Sequence, residues 1–398
     1  LIMPILGGLA LGACGDDETS DGGSTPATDG GATTTAAADD GATTTAAIVE
    51  GGVLAGICPD TVAIQVDWMP EAEHGFLYQL VGEGYTIDSD LAYVTGPLID
   101  SDGNDTGVDI QIRSGGAPQQ YTPVTQIMYN NDDVLLGYVY TDEAIQFSDT
   151  FPTVAIESGF NKNPQMIMWD PETYPDVTSI ADLGTAGVTV RYFGGAAYME
   201  YLVGSGILSA EQVDGSYNGD PSLFIADEGT AAQQGFGSAE PYLYLEELTD
   251  WGKPVEYSYI NDAGWNNYAE SIATKPENIT EYADCFTELV PMIQQSSIDY
   301  LNDPARTNAI ILAAVDAFGN DFGWTYTAGA ADYGVATIKA DGLVANGPAG
   351  VGSFDMDRVA ALIEVATPIY EGLGSPPKEG LTPEDIVTNQ FIDPSIEL

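Results

Sequence analysis

The chain has 398 residues, 61 of them acidic and 9 basic, for a formal net charge of -52. That balance excludes a nucleic-acid partner, because phosphate contacts need clustered lysine and arginine. A hydrophobic content of 44% over this length supports a substantial core divided between two lobes, and an acidic, lysine-poor surface reads either as adaptation of an exported protein to a saline habitat, the preferred reading, or as a device that attracts cationic solutes.

In chain order, the first feature is Leu11-Gly12-Ala13-Cys14, a small-residue cleavage site before a cysteine at the end of a short apolar run. This is the pattern of a bacterial lipoprotein signal, in which residues 1–14 are expected to form the signal segment and Cys14 to carry a lipid that holds the mature protein on the outer face of a membrane or in the periplasm; the other reading is a secretory peptide whose cysteine is incidental. The run contains Pro4 and is too short to span a bilayer. Residues 15–57 are dominated at first by Gly, Thr, Ala, Asp and Ser, with GATTTAAADD followed by GATTTAA. Such a segment buries too little apolar area to order itself and reads as a tether with an r.m.s. span of about 35 Å.

Folded patterning begins at Thr61–Asp67, which alternates as a strand, turns at Trp68-Met69-Pro70, and is followed by helical spacing over His74–Val81. Residues 91–106 read as an insertion, with a hairpin turn over Asp100–Asp105 that lacks the Glu of a calcium loop. Further strands are expected over Gly107–Arg113, Val134–Tyr140, Pro152–Ser158, Gly187–Tyr192 and Val255–Ile260. Helices are expected through Leu202 and over Ile279–Leu301, Pro304–Phe318 and Asp355–Tyr370. The alternation predicts an α/β protein with mostly parallel sheets. The extended segments near 152–158 and 255–260 suit two crossings between lobes, giving one lobe from 58–151 and 261–398 and a second from 152–260. With Cys14 set aside, Cys58 and Cys285 could form a disulfide or stay as two buried thiols. A metal centre of cysteine and histidine is not expected, since His74 is the only histidine and no CxxC occurs.

In open α/β sheets, ligands bind beyond the carboxyl ends of strands. At the first such end Trp68 could stack on a flat ligand or belong to the core, and Glu71 and His74 offer hydrogen bonds beside a helix start or are satisfied structurally. Ser114-Gly115-Gly116 forms either an anion nest or a simple turn. Arg191, Phe193, Gly194 and Gly195 repeat a strand, glycine turn and helix start, where Arg191 reads equally as a surface ion pair. Glu240, fixed by Pro241, could accept from an amino group or cap a turn. Tyr138, Tyr140, Thr141, Tyr242 and Trp265 complete an aromatic, acidic cleft.

The run VAIQVDWMPEAEHGFLYQLVGEGY resembles the opening of the solute-binding family that serves uptake of thiamine pyrimidine precursors, alkanesulfonates, taurine and nitrate, and that includes the thiamine pyrimidine synthases. Asp67, Trp68, Pro70, His74 and Gly75 carry the likeness, with Glu240-Pro241 and the closing Leu381-Thr382-Pro383-Glu384-Asp385, Asn389 and Phe391. The cysteine-rich motif of the synthases is absent, so their chemistry is not implied. The resemblance implies a type II periplasmic-binding-protein fold: two α/β lobes joined by two hinge strands, with ligand in the cleft between them. It implies no enzyme and no cofactor, but a monomeric, lipid-anchored receptor that delivers a small molecule to an ABC permease. The preferred ligand is a nitrogenous heteroaromatic such as a thiamine pyrimidine precursor. The alternative is a sulfonate, taurine or nitrate held by the glycines and Arg191. An extracellular hydrolase using paired carboxylates and a ligand sensor rank lower, as no GxSxG or HExxH occurs.

Overall fold

The computed structural model describes residues 51–398; Cys14 and most of the expected tether lie outside the described residues. Two sheets, of seven and five strands, are built from β1 (Thr61–Gln65), β2 (Thr86–Asp88), β3 (Tyr93–Ile99), β4 (Asp105–Arg113), β5 (Val134–Val139), β6 (Val154–Glu157), β7 (Gln165–Trp169), β8 (Val190–Arg191), β9 (Val213–Asp214), β10 (Ala232–Phe236), β11 (Glu256–Tyr259) and β12 (Ser271–Thr274). The larger sheet runs β2-β3-β4-β1-β5-β12-β6 and the smaller β11-β7-β10-β8-β9.

Both sheets are mixed, which corrects the expectation of mostly parallel pairing. Only β1 with β4 and β5, and β8 with β9 and β10, pair in parallel. The stretch read as an insertion supplies β3, whose residues alternate between half-buried and buried, and it folds back on β4 as a hairpin. Its turn is held by the Asp100 carboxylate, which accepts from the backbone N–H groups of Asp102 and Asn104 at 3.0 and 2.8 Å, an arrangement that favours this tight reversal over a cation loop. β12 enters antiparallel between β5 and β6 because the chain returns there from the other lobe.

The crossings lie next to the segments expected for them. β6 and β11 are edge strands of their own sheets, and the chain passes between sheets over 158–164 and 260–270. The two crossings are bonded to each other: Phe160 N–H donates to Ala269 O at 3.1 Å, and the Asn163 amide to Asn267 Oδ1 at 2.9 Å. Helix Met356–Gly372 clamps the second crossing. Its cap Asp355 accepts from the N–H groups of Asp357 and Arg358, and the Arg358 guanidinium donates to the carbonyls of Asn266 and Asn267 while lying 3.8 Å over the Tyr268 ring.

Apolar side chains at alternate positions on β1 and β4, among them Val62, Ile64, Ile110 and Ile112, pack with Phe76 and Leu77 of helix Gly75–Gln79 and with Phe286, Leu289 and Ile293 of helix Ala283–Asn302. The burial of these side chains, each contributing roughly 1.5–3 kcal/mol, holds the first strand and the turn after it in place. Cys58 and Cys285 are bonded within this core, with Cα atoms 4.9 Å apart across a sequence separation of 227. In the chain-entropy account a loop of that length contributes up to about 5 kcal/mol. The Cys58→Ser/Cys285→Ser variant is therefore expected to unfold at a clearly lower denaturant midpoint with both thiols lost; an unchanged midpoint would remove the disulfide from the account of stability. No helix among the described residues is long and apolar enough to cross a membrane.

Candidate functional site

The carboxyl ends of β1, β4 and β5 in one lobe face those of β8 and β10 in the other across a cavity of about 580 Å³. That volume suits a small organic molecule. Its wall combines aromatic rings with the carboxylates of Asp67, Glu71, Glu73, Asp142, Glu143 and Glu240, and no lysine, arginine or histidine lines it among the described residues.

The first wall grows out of the β1 turn. Trp68 lies 5.7 Å from the ring of Tyr121 and 6.1 Å from that of Trp324, which is nearly perpendicular to it. Trp324 donates its indole N–H to Pro70 O at 3.1 Å and stacks on Tyr326. These contacts leave Trp68 half-buried with a face on the cavity, a geometry suited to a flat ligand.

The acidic side chains are held in distinct ways. Glu240 accepts from the backbone N–H of Phe236 at 2.6 Å, and burial still pushes its carboxyl up to about 7. Glu143 accepts from the N–H and the hydroxyl of Thr125 at 3.0 and 2.9 Å, and burial also lifts it to about 7. Asp142 receives hydrogen bonds from the Trp265 indole at 3.2 Å and the Asn267 amide at 2.8 Å, while burial raises its carboxyl. Glu73 accepts from the Ser238 hydroxyl and is raised by burial. Glu71 is driven well up, first by burial and then by the neighbouring charges of Glu73, Asp67 and Glu240. Carboxylates gathered out of water with no cation among them favour whatever supplies positive charge or N–H donors.

Of the residues singled out from sequence, Asp67, Trp68, Glu71, Gly116, Tyr140, Phe193, Gly195 and Glu240 line this cavity. The others do not, each for a local reason. Gly115 and Gly116 spend their N–H groups on the Trp68 and Asp67 carbonyls, at 2.9 and 3.0 Å, so of the two readings, nest or turn, the turn is the one observed, with neither N–H left to donate to an anion. A Cβ on Gly115 would lie inside van der Waals contact of the Asp67 carbonyl, and Gly116 has φ +62°, so both positions require glycine. Arg191 is engaged by Asp214, at 3.6 Å, and by Asp227. His74 is fully buried behind the wall, with Nε2 3.2 Å from Asp67 Oδ1. Tyr138 is buried between His74 and Phe76. Thr141 ties its helix to the second crossing by bonds with Tyr268, and Trp265 is a core residue that supports Asp142. Gly194 abuts the carbonyl of Gly215, and the Tyr242 ring lies 5.7 Å from that of Tyr333.

Asp142 and Glu143 were missed although they follow directly on β5 and Thr141; the rule of strand carboxyl ends would have found them. Tyr121, Tyr217 and Trp324 follow no comparable pattern, since loops and a helix end deliver them.

No family model matches the sequence, and no curated protein matches it. Among solved structures, a protein from Bordetella bronchiseptica RB50 superposes with a TM-score of 0.50 at 13% identity, over 84% of this chain and 96% of its own. The two share a fold. The periplasmic aliphatic sulphonate binding protein SsuA of Escherichia coli aligns with a TM-score of 0.48 at 14% identity, over 86% of this chain and 94% of its own. The ligand binding component of an ABC-type import system from Staphylococcus aureus, solved with zinc bound, gives 0.49 at 11%, over 85% and 99%. The expected architecture of two α/β lobes joined by two crossings is the one observed.

Proposed function

We propose that the protein is a solute-binding receptor of an ABC importer, held outside the cell by a lipid on Cys14, that captures a small nitrogenous heteroaromatic such as a thiamine pyrimidine precursor. The observation carrying this reading is the interlobe cavity, walled by Trp68, Tyr121 and Trp324 on one side and edged by carboxylates without a cation among the described lining residues. The rings stack on the ligand. Glu71 and Glu240 accept from its amino or ring N–H groups, and the crossings let the lobes close over it.

One feature favours the alternative of a sulfonate, taurine or nitrate: Gly195, Ala196 and Ala197 bring the start of helix Ala197–Gly204 to the cavity wall. Magnitudes decide against it. Burial raises these carboxyls, but wherever one is ionised it repels a monoanion by about 3 kcal/mol at about 5 Å and an effective dielectric near 20, whereas a helix N-terminus returns roughly 1 kcal/mol.

Trp68 and Trp324 both line the cavity, so a stacking ligand should quench tryptophan fluorescence. Titration of the stripped protein with aminopyrimidines is expected to saturate, and Trp68→Ala to weaken binding about 2- to 10-fold, in line with ~0.5–1.5 kcal/mol for an aromatic contact. Quenching by sulfonates and not by aminopyrimidines would overturn the ligand assignment. For the anchor, Cys14→Ser is expected to move the protein from the membrane fraction to the soluble one.

A further inference from the structure

We propose that Asp67, His74 and Glu270 form a site for one divalent transition-metal ion, Zn²⁺ or Mn²⁺ in class, behind the cavity wall. The ligand atoms of the three residues lie within 4.8 Å of one another. Around Zn²⁺, with bonds of roughly 2.0–2.1 Å, neighbouring ligand atoms stand about 3.4 Å apart, so side-chain adjustments of about 1 Å close the set. Nε2 of His74 already stands 3.2 Å from Asp67 Oδ1.

The three residues reach this point from separate elements. Asp67 opens the turn after β1, His74 closes the short 3-10 turn Ala72–His74, and Glu270 stands at the end of the second crossing just before β12. Glu270 is 1% exposed and His74 0% exposed. Oε2 of Glu270 has no hydrogen-bond partner among the described residues. A buried carboxylate oxygen without a donor costs several kcal/mol as an ion, and a second carboxylate and an imidazole are turned to the same point. A bound dication satisfies all three groups, and one nitrogen with two carboxylate oxygens suits Zn²⁺ or Mn²⁺ better than Ca²⁺, which takes six to eight oxygens. Asp67 also lines the cavity, so the ion would sit beside the solute and tie the second crossing to the first lobe. The proposal does not depend on what the cavity binds.

The test uses the full chain without an affinity tag, stripped with a chelator and given ZnCl₂, MnCl₂ or CaCl₂ alone in high NaCl to suppress loose binding by surface acids. One equivalent of Zn²⁺ or Mn²⁺ is expected by equilibrium dialysis and elemental analysis, with affinity lowered at least 10-fold in His74→Gln and in Glu270→Gln. The chain has a single histidine, so pulsed electron paramagnetic resonance of the Mn²⁺-loaded wild type should show an imidazole nitrogen coupling that assigns the site without any substitution. Absence of stoichiometric binding, or bound Mn²⁺ with no nitrogen coupling, would overturn the proposal. So would affinity unchanged in both folded variants.

Discussion

Replacing Glu240 with glutamine is expected to weaken binding of an aminopyrimidine about 10- to 100-fold and to leave a sulfonate unchanged or slightly improved. Glu240 reaches the cavity from the turn after β10, locked by Pro241 and by the Phe236 N–H. That bond uses one carboxylate oxygen and leaves the other for a ligand donor. A hydrogen bond to a charged group contributes roughly 1.5–3 kcal/mol, which sets the size of the loss. Glutamine keeps the shape and one acceptor but removes the charge, so the variant separates electrostatics from packing. Glu71→Gln should act in the same direction but more weakly, because burial first, and then the charges of Glu73, Asp67 and Glu240, hold that carboxyl towards its neutral form. Arg191→Gln is the control. Its guanidinium serves Asp214 and Asp227, so solute affinity should not change. Isothermal titration of the variants with an aminopyrimidine and an alkanesulfonate reads all of these outcomes, and a sulfonate lost in Arg191→Gln would contradict the assignment of charge in the cleft.

The second large effect concerns pH. Glu157 on β6 is 1% exposed and lies beneath Gly352, and burial pushes its carboxyl up to about 8. Below the ordinary carboxylate pKa, the folded and unfolded chains both hold this proton. As pH rises from about 4.5 towards 8 the unfolded chain releases it while the folded chain retains it, so the contribution of Glu157 to stability falls through that window and is constant above it. At 1.36 kcal/mol per unit the loss reaches up to about 5 kcal/mol. Glu157→Gln mimics the protonated side chain and removes the dependence. Chemical denaturation at a series of pH values should find the variant equal to wild type near pH 4 and increasingly more stable above pH 6. Parallel curves across the range would show that Glu157 is not buried as described.

The sequence revealed the site where local chemistry and position coincide. Trp68, Glu71 and Glu240 sit at strand ends with proline-fixed turns, and a short-range pattern carries that information. The Cys58–Cys285 bond was legible as one of two open readings. Arg191 and the Gly115-Gly116 pair were ambiguous because their partners, Asp214, Asp227 and the Asp67 and Trp68 carbonyls, come from other segments. No local signal says whether a guanidinium or an N–H is already spent. Trp324 and Tyr121 were invisible for a related reason, since tertiary packing rather than periodicity turns them toward Trp68. The mixed sheets escaped prediction because β3 lay in a stretch read as an insertion and β12 is only four residues long.

The most direct test of the account is a thermal-shift comparison on the full chain, unfolded and refolded to strip any carried solute. The panel sets aminopyrimidines and thiamine against taurine, alkanesulfonates and nitrate. A ligand present at a hundredfold its dissociation constant adds about 2.7 kcal/mol to the folded state, enough to raise the midpoint by several degrees. The account predicts a shift with a nitrogenous heteroaromatic, reduced in Glu240→Gln and in Trp68→Ala, and none with the anions. A shift confined to the sulfonates or nitrate would contradict it.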